Sequence, residues 1–409
     1  MIHRVAITGM GGVSALGEKW CDIRTHILNG KNAVQNMQEW AVYDGLNTQL
    51  GAPINDFVLP VHYTRKKIRS MGRVSLLSTR ATELALTQAG LLDDPILTNG
   101  ETGIAYGSST GSTKPVSDFA TMLTEKHTNN ITGTTYVQMM PHTTAVNTGL
   151  FFGLKGRVIP TSSACTSGSQ AIGYAFEAIR HGYQSVMVAG GAEELCPSEA
   201  AVFDTLLATS QKNDQPSCTP SPFDVNRDGL VIGEGACSLI LENYDHAVAR
   251  GATIYGEILS FATNCDAAHI TQPKVETIQL CIEKALKAAK LAPQDVGYIS
   301  AHGTGTERGD IAESQATSNV FGVNTPISSL KSYFGHTLGA CGALETWLTL
   351  EMMKEGWFAP TLNLMQVDPQ CGELDYIMHT PRALKTEIIQ TNNFAFGGIN
   401  TSLVIRRGN

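Results

Sequence analysis

Cys165 stands in Val158-Ile-Pro-Thr-Ser-Ser-Ala-Cys165-Thr-Ser-Gly-Ser-Gln-Ala171, where an apolar, strand-like run stops in small hydroxylated residues at a thiol. The chain then restarts as a helix over 168–182, with Ile172, Phe176 and Ile179 at helical spacing and Gly182 as a stop. A thiol on the turn before a helix lies at the positive end of the helix dipole, which is expected to lower its pKa from about 8.5 and enlarge the thiolate fraction. The plainer fate of a free cysteine is a buried, inert small residue, and that reading fits most of the other eight. Two further segments carry groups that could work with such a nucleophile. Tyr298-Ile-Ser-Ala-His302-Gly-Thr-Gly-Thr-Glu-Arg-Gly-Asp310 puts His302 just past a short apolar strand on a Gly/Thr loop, and Ser328 to Glu345 repeats the design with Lys331 and His336. A thiol with two histidines on strand exits is a constellation for nucleophilic catalysis, provided the fold brings them together.

Other glycine-rich segments carry less chemistry. Thr8-Gly-Met-Gly-Gly-Val-Ser-Ala-Leu-Gly17 follows a strand, but Ser14 occupies the third glycine position of a dinucleotide fingerprint and no ribose-binding acid follows. His302-Gly-Thr-Gly-Thr306 lacks the Gly-Lys-Ser/Thr ending of a phosphate loop. The histidines lack zinc-site spacing, so neither a cofactor nor a metal is expected.

The elements around these residues read as α/β. Strand 254–260, helix 275–290 with Ile278, Ile282, Ala285, Leu286 and Ala289 on one face, and strand 296–300 form one unit. Cys165 to Gly182 and Gly339 to Gly356 open alike in small residues and close alike in Arg-His-Gly-Tyr and Lys-Glu-Gly-Trp, a faint sign of duplication. A chain of 409 residues is long for one simple core and predicts two domains or a duplicated one. Charged residues make up 16%, against an average near ~25%, so part of the surface is expected to be buried in a partner, most simply a second copy. Nine cysteines without metal spacing or a compact secreted framework predict a reducing, cytoplasmic setting. No apolar run approaches a membrane span, and neither a membrane nor a nucleic acid is expected as partner.

Taken together, several motifs resemble the β-ketoacyl-acyl-carrier-protein synthases of the Cys-His-His type, the elongating condensing enzymes of fatty-acid and polyketide synthesis. They are Val5-Ala-Ile-Thr-Gly-Met-Gly11, the Cys165 turn, Pro222-Phe-Asp-Val-Asn-Arg-Asp-Gly229 with Gly233-Glu-Gly235, the His302 loop, Lys331 with Gly335-His-Thr-Leu-Gly-Ala340, and Asn393-Phe-Ala-Phe-Gly-Gly-Ile-Asn400. His336 separates the chain from Cys-His-Asn relatives that start chains from coenzyme A, and Phe394-Ala-Phe-Gly-Gly398 separates it from thiolases. The resemblance implies the thiolase-like fold, two related βαβαβαββ halves in α-β-α-β-α layers, with a boundary near residue 252: 1–252 carrying the nucleophile and 253–409 carrying both histidines and the lysine. It implies Cys165 as acyl acceptor, His302 and His336 as enolate stabilisers, Lys331 as anchor of their polar network, and Glu313 as a buried organising acid. It also implies the backbone N–H groups of Cys165 and Phe396 as oxyanion hole, Phe396 as gate beside Phe394, and Thr304, Thr306 and Thr271 along the pantetheine arm. Thr110 falls where relatives line the acyl tunnel, and Ala395 replaces a usual glycine, which would restrict the gate loop if positive φ were needed there.

No cofactor is implied, the substrates being carried on the phosphopantetheine of an acyl carrier protein. Acyl carrier proteins are small and acidic. The run Arg65-Lys66-Lys67-Ile-Arg69 with Arg73 holds five positive charges and no acid in a chain of net charge −8, and is the expected dock; a solvated helix face is the plainer reading. The expected assembly is a homodimer, with a heterodimer of related subunits as alternative. A ketosynthase of a dedicated polyketide or polyene pathway would do the same chemistry. A non-catalytic chain-length subunit would have lost the cysteine, and a thioester hydrolase would need a base that activates water.

Overall fold

The computed structural model describes residues 2–408. Ten strands make its frame: β1 (Val5–Ser14), β2 (Thr102–Gly107), β3 (Val158–Thr161), β4 (Val186–Glu193), β5 (Gly235–Asn243), β6 (Gly256–Cys265), β7 (Tyr298–Ser300), β8 (Pro326–Ser328), β9 (Ile388–Phe394) and β10 (Ile399–Arg407). The first five pair in the order β3-β2-β4-β5-β1, the second five in the order β8-β7-β9-β10-β6. Numbered within each half, both orders are third, second, fourth, fifth, first. In each half the first three strands of that order are parallel and the last two antiparallel. This is the duplication hinted at in the sequence. The halves join where Val5–Ile7 of β1 pairs with Gly256–Ile258 of β6, and residue 252 lies in the connection leading into β6.

Helices layer the sheets. α1 (Arg73–Ala89) and α2 (Thr143–Phe152) cover the outer face of the first half, and α5 (Val275–Ala289) with α6 (Glu307–Phe321) covers that of the second. α3 (Ser167–Arg180) and α7 (Cys341–Glu355) lie between the sheets, each touching strands of both halves and one another. α4 (Pro197–Asp204) follows β4. The layers therefore run α-β-α-β-α. Sequence pattern follows position. α5 is an outer helix and buries only the stripe Ile278, Cys281, Ile282, Ala285, Leu286, whereas α7 is buried from Cys341 to Met353 on every side, as a helix between two sheets must be. β1 and β4, covered on both faces, are buried at every residue.

Close approach of the halves depends on missing side chains. A Cβ on Gly191 of β4 would run into the carbonyl oxygen of Gly339, just before α7; one on Gly168 of α3 would meet the same oxygen, and one on Gly173 would enter the Phe261 ring of β6. The turn that follows His336 is thereby seated against the strand and helix that frame Cys165. Gly191→Ala should push this turn away and cost about 1–3 kcal/mol of stability, the range for overpacking a filled core. A lowered thermal midpoint checks it; an unchanged midpoint means the seam has slack.

Candidate active site

The functional loops leave the C-terminal ends of four strands. Cys165 follows β3, His302 follows β7, Lys331 and His336 follow β8, and Phe396 follows β9, as expected of ligand sites in α/β folds. Ala164, at φ +50, makes the sharp turn into Cys165, and Ser167 closes it by donating its hydroxyl to the Ala164 carbonyl and accepting the Ser163 N–H at 2.9 Å. His336 is held by the first half, its N–H donating to the Val231 carbonyl at 2.7 Å and its carbonyl accepting the Gly233 N–H at 2.9 Å. The second half thus delivers the histidine, and the segment after Pro222–Gly229 fixes its height.

Cys165 Sγ lies 2.9 Å from His336 Nε2, and the His302 and His336 rings are 5.2 Å apart and nearly perpendicular. All three residues are buried. The dipole-lowered thiol expected from the sequence is not what this site holds. Burial pushes the Cys165 thiol up to about 11, outweighing the opposing pull of Lys331 and of the backbone N–H groups of Phe396 and Cys165 itself. Those two amides face the sulfur, where a tetrahedral oxyanion would form. Burial also drives both histidines well below their usual pKa, with Lys331 adding to the effect, so both rings are neutral.

The tautomers follow from the neighbours. The Leu338 N–H donates to His336 Nδ1 at 3.2 Å, and the Asn393 amide nitrogen approaches His302 Nδ1 at 3.4 Å. A backbone amide can only donate, so His336 carries its proton on Nε2; the Asn393 amide gives His302 the same assignment. The sulfur and the two ring nitrogens lie within 4.8 Å of one another, close enough to hold a metal ion. With both Nε2 positions protonated and facing the centre, the cluster presents donors rather than lone pairs, and it suits a developing oxyanion better than a cation.

Lys331 is fully buried and ion-paired to the equally buried Glu345 of α7. Burial acts to neutralise the lysine, but Cys341, Glu345 and Glu313 outweigh it and raise its pKa. The second Glu345 oxygen accepts the Asn393 amide at 2.8 Å, linking α7, β8, β9 and His302. Glu313 accepts the N–H groups of His302 and Gly303, each at 2.7 Å, and burial pushes it up to about 8. Asp310 accepts those of Thr304, Gly305 and Phe223 and faces Arg227, tying the His302 loop to the Pro222–Gly229 segment. Glu345, Asn393, Asp310 and Arg227 had no separate role in the sequence reading. Glu345, the single Asp, Glu, Lys or Arg between Lys331 and Glu351, was the signal for the first.

A cavity of about 540 Å³ opens on Cys165, His302 and His336, and Thr271, Thr304, Thr306, Phe394 and Phe396 line it. Phe396 packs on Phe203 of α4, ring centroids 4.9 Å apart. Positive φ in the gate loop falls on Gly397 and Gly398; Ala395 is spared it and therefore unstrained. Two expected positions have partners that the sequence did not show. Thr110 lines a second cavity, about 810 Å³, where its hydroxyl donates to Glu199. Arg73 is not a free docking charge, because its guanidinium is paired with the buried Glu234 and donates to the Ile54 carbonyl. Arg65, Lys66, Lys67 and Arg69 are exposed and make no ion pair among the described residues.

Comparison with known proteins agrees with this geometry. Residues 3–247 match the model of the β-ketoacyl synthase N-terminal domain and residues 255–365 that of the C-terminal domain. The chain is 35% identical over 410 residues to a 3-oxoacyl-[acyl-carrier-protein] synthase 2 of Synechocystis, covering 99% of this chain and 98% of the relative. It is 58% identical to a β-ketoacyl synthase of Burkholderia phymatum of known crystal structure, with a TM-score of 0.98 over 99% of both chains. A ketosynthase of a type II polyketide synthase, solved in complex with its acyl-carrier protein, is 30% identical with a TM-score of 0.87 over the whole of both chains. A thiol and two neutral histidines converging on one buried point, in a duplicated α/β frame matched along both halves, place the chain in the β-ketoacyl synthase family.

Proposed function

We propose that the chain extends an acyl group by two carbons through decarboxylative condensation with a malonyl unit on acyl carrier protein. The observation that carries this reading is that the Cys165 sulfur and a ring nitrogen of each histidine lie within 4.8 Å of one another, while Nδ1 of each ring already has an N–H donor as neighbour. In the first step Cys165 sulfur attacks the acyl thioester, the oxyanion faces the Cys165 and Phe396 amides, and the carrier thiol departs with the proton. The malonyl thioester then loses carbon dioxide, and the electron pair of the broken C–C bond becomes an enolate whose oxygen takes hydrogen bonds from His302 and His336. The enolate carbon attacks the acyl-Cys165 carbonyl, the C–S bond breaks, and the thiolate takes up a proton. Lys331 and Glu345 act as positioning residues, holding Asn393 and hence the His302 tautomer.

The finer points are part of the same proposal: division of the chain into halves near residue 252, a cytoplasmic setting for its nine unpaired cysteines, a dimer of identical or related subunits, and docking of the carrier protein at Arg65, Lys66, Lys67 and Arg69. No helix among the described residues is long and apolar enough to cross a membrane. Polyketide or polyene elongation is the second reading, favoured by the likeness to a type II polyketide ketosynthase.

Intact-mass measurement should show the acyl group on the wild type and none on Cys165→Ala. His302→Ala and His336→Ala should slow decarboxylation by about 10²–10³-fold, more than acyl transfer, since the enolate is the charge they meet. Equal loss of both half-reactions counts against this division.

Removing one member of the buried pair strands the other charge. Lys331→Met should cost about 3–5 kcal/mol, whereas Lys331→Met with Glu345→Leu should recover most of that stability without recovering decarboxylation. Denaturant unfolding alongside the decarboxylation rate separates the two effects.

Reversing Lys66 and Arg69 to Glu should raise KM for acyl carrier protein and flatten its salt dependence, leaving a free acyl-pantetheine unaffected. Equal loss with both substrates would make the run part of the fold.

A further inference from the structure

Three carboxylates cluster at the end of β4 and on α4. The oxygens of Glu193 accept the Ser108 hydroxyl at 2.8 Å and the N–H groups of Ser109 at 2.7 Å and Gly339 at 3.0 Å; those of Glu194 accept Ser112 and Thr113. Glu199 differs. It is 6% exposed, its Oε1 accepts only the Thr110 hydroxyl at 3.3 Å, and its Oε2 is buried with no partner at all. Burial and the neighbouring Glu193 raise its pKa well above the usual range, so the carboxyl keeps its proton. A buried O–H with no protein group to donate to calls for an acceptor.

Its location suggests which acceptor. Ala200 and Phe203, on the same helix, share an apolar cluster with Cys165, Leu338 and Phe396, and Phe203 touches the gate ring of Phe396. The other side of the helix, through Cys196, Pro197 and Ala201, lines the second cavity together with Thr110. Glu199 thus sits on the helix that meets the apolar cluster around the nucleophile on one side and the second cavity on the other. Glu193 is near enough to act electrostatically on both Cys165 and Glu199.

We infer that Glu199 is a specificity-determining residue of the acyl site: with Thr110 it forms a polar end to the acyl path and selects chains that carry an oxygen at their distal end. A hydroxyl or carbonyl there accepts the Glu199 O–H, whereas a methyl end leaves it unsatisfied. The inference rests on the condensing-enzyme reading, through acylation of Cys165. It extends Thr110 from a lining residue to the partner that orients Glu199.

The test is acylation of Cys165 in the full-length protein by length-matched alkanoyl and ω-hydroxyalkanoyl pantetheine thioesters, followed by intact mass. At the length that reaches Glu199, the hydroxylated member should react about three- to tenfold faster in kcat/KM, the worth of one neutral hydrogen bond. Glu199→Gln, which keeps an N–H donor, should retain the preference, and Glu199→Leu should abolish it. Equal rates for the two series in the wild type at every length, as when a water fills the site, overturn the assignment without any variant. So does a preference that survives Glu199→Leu. Short alkanoyl thioesters test the underlying reading separately: if even these fail to acylate Cys165, both fall.

Discussion

Lys331 and Glu345 lie side by side with no exposed surface, one at the exit of β8 and the other on the helix sandwiched between the two sheets. Neither charge could be buried alone, because desolvation of an isolated ion exceeds what a fold of this size can spare. The pair must therefore form wherever the chain folds, and its formation fixes three things at once. It locks α7 against the β8 exit, it holds Asn393 by the free Glu345 oxygen, and through Asn393 it sets the proton of His302 on the side that faces Cys165. The same positive charge helps to keep both histidines neutral.

Neutral histidines and a protonated thiol are what a dry site produces. Burial acts in opposite directions on the two types of group, raising the thiol and lowering the imidazoles, and both shifts remove charge from the resting centre. Charge appears only during reaction, on the carbonyl oxygen during acyl transfer and on the enolate oxygen after carbon dioxide leaves. The donors that meet it are already in place and need no reorganisation. Water exclusion strengthens each of these hydrogen bonds and protects the acyl thioester from hydrolysis. The contact of Phe396 with Phe203 contributes to that exclusion on the acyl side.

The seam between the halves is the other constraint. Gly168, Gly191 and Gly339 bring α3, β4 and the turn before α7 into backbone contact, so the thiol of one half and the histidines of the other meet within hydrogen-bonding distance. Duplication makes this possible, since both halves present the same strand order and each sends a helix into the middle layer. Only one half presents its thiol to the cavity. Cys341, which opens the matching helix, donates its thiol to the Cys165 carbonyl at 3.2 Å instead.

Much of this was legible along the chain because it is local. A strand stopping at Ser-Ser-Ala-Cys165, glycine-rich exits carrying His302 and His336, and the stripe of α5 are patterns of near neighbours, and the resemblance they carry reaches the fold and the reaction. What needed the third dimension depends on groups far apart in sequence. The pKa of Cys165 is set by how much water the assembled core removes, and that reverses the shift expected from the helix dipole alone. Arg73 is spoken for by Glu234, 161 residues away, and Thr110 by Glu199, 89 residues away. Residue type and spacing determine which chemistry this chain can carry; burial and long-range pairing, which arise only when both halves close on one another, decide the protonation states and which charges remain free.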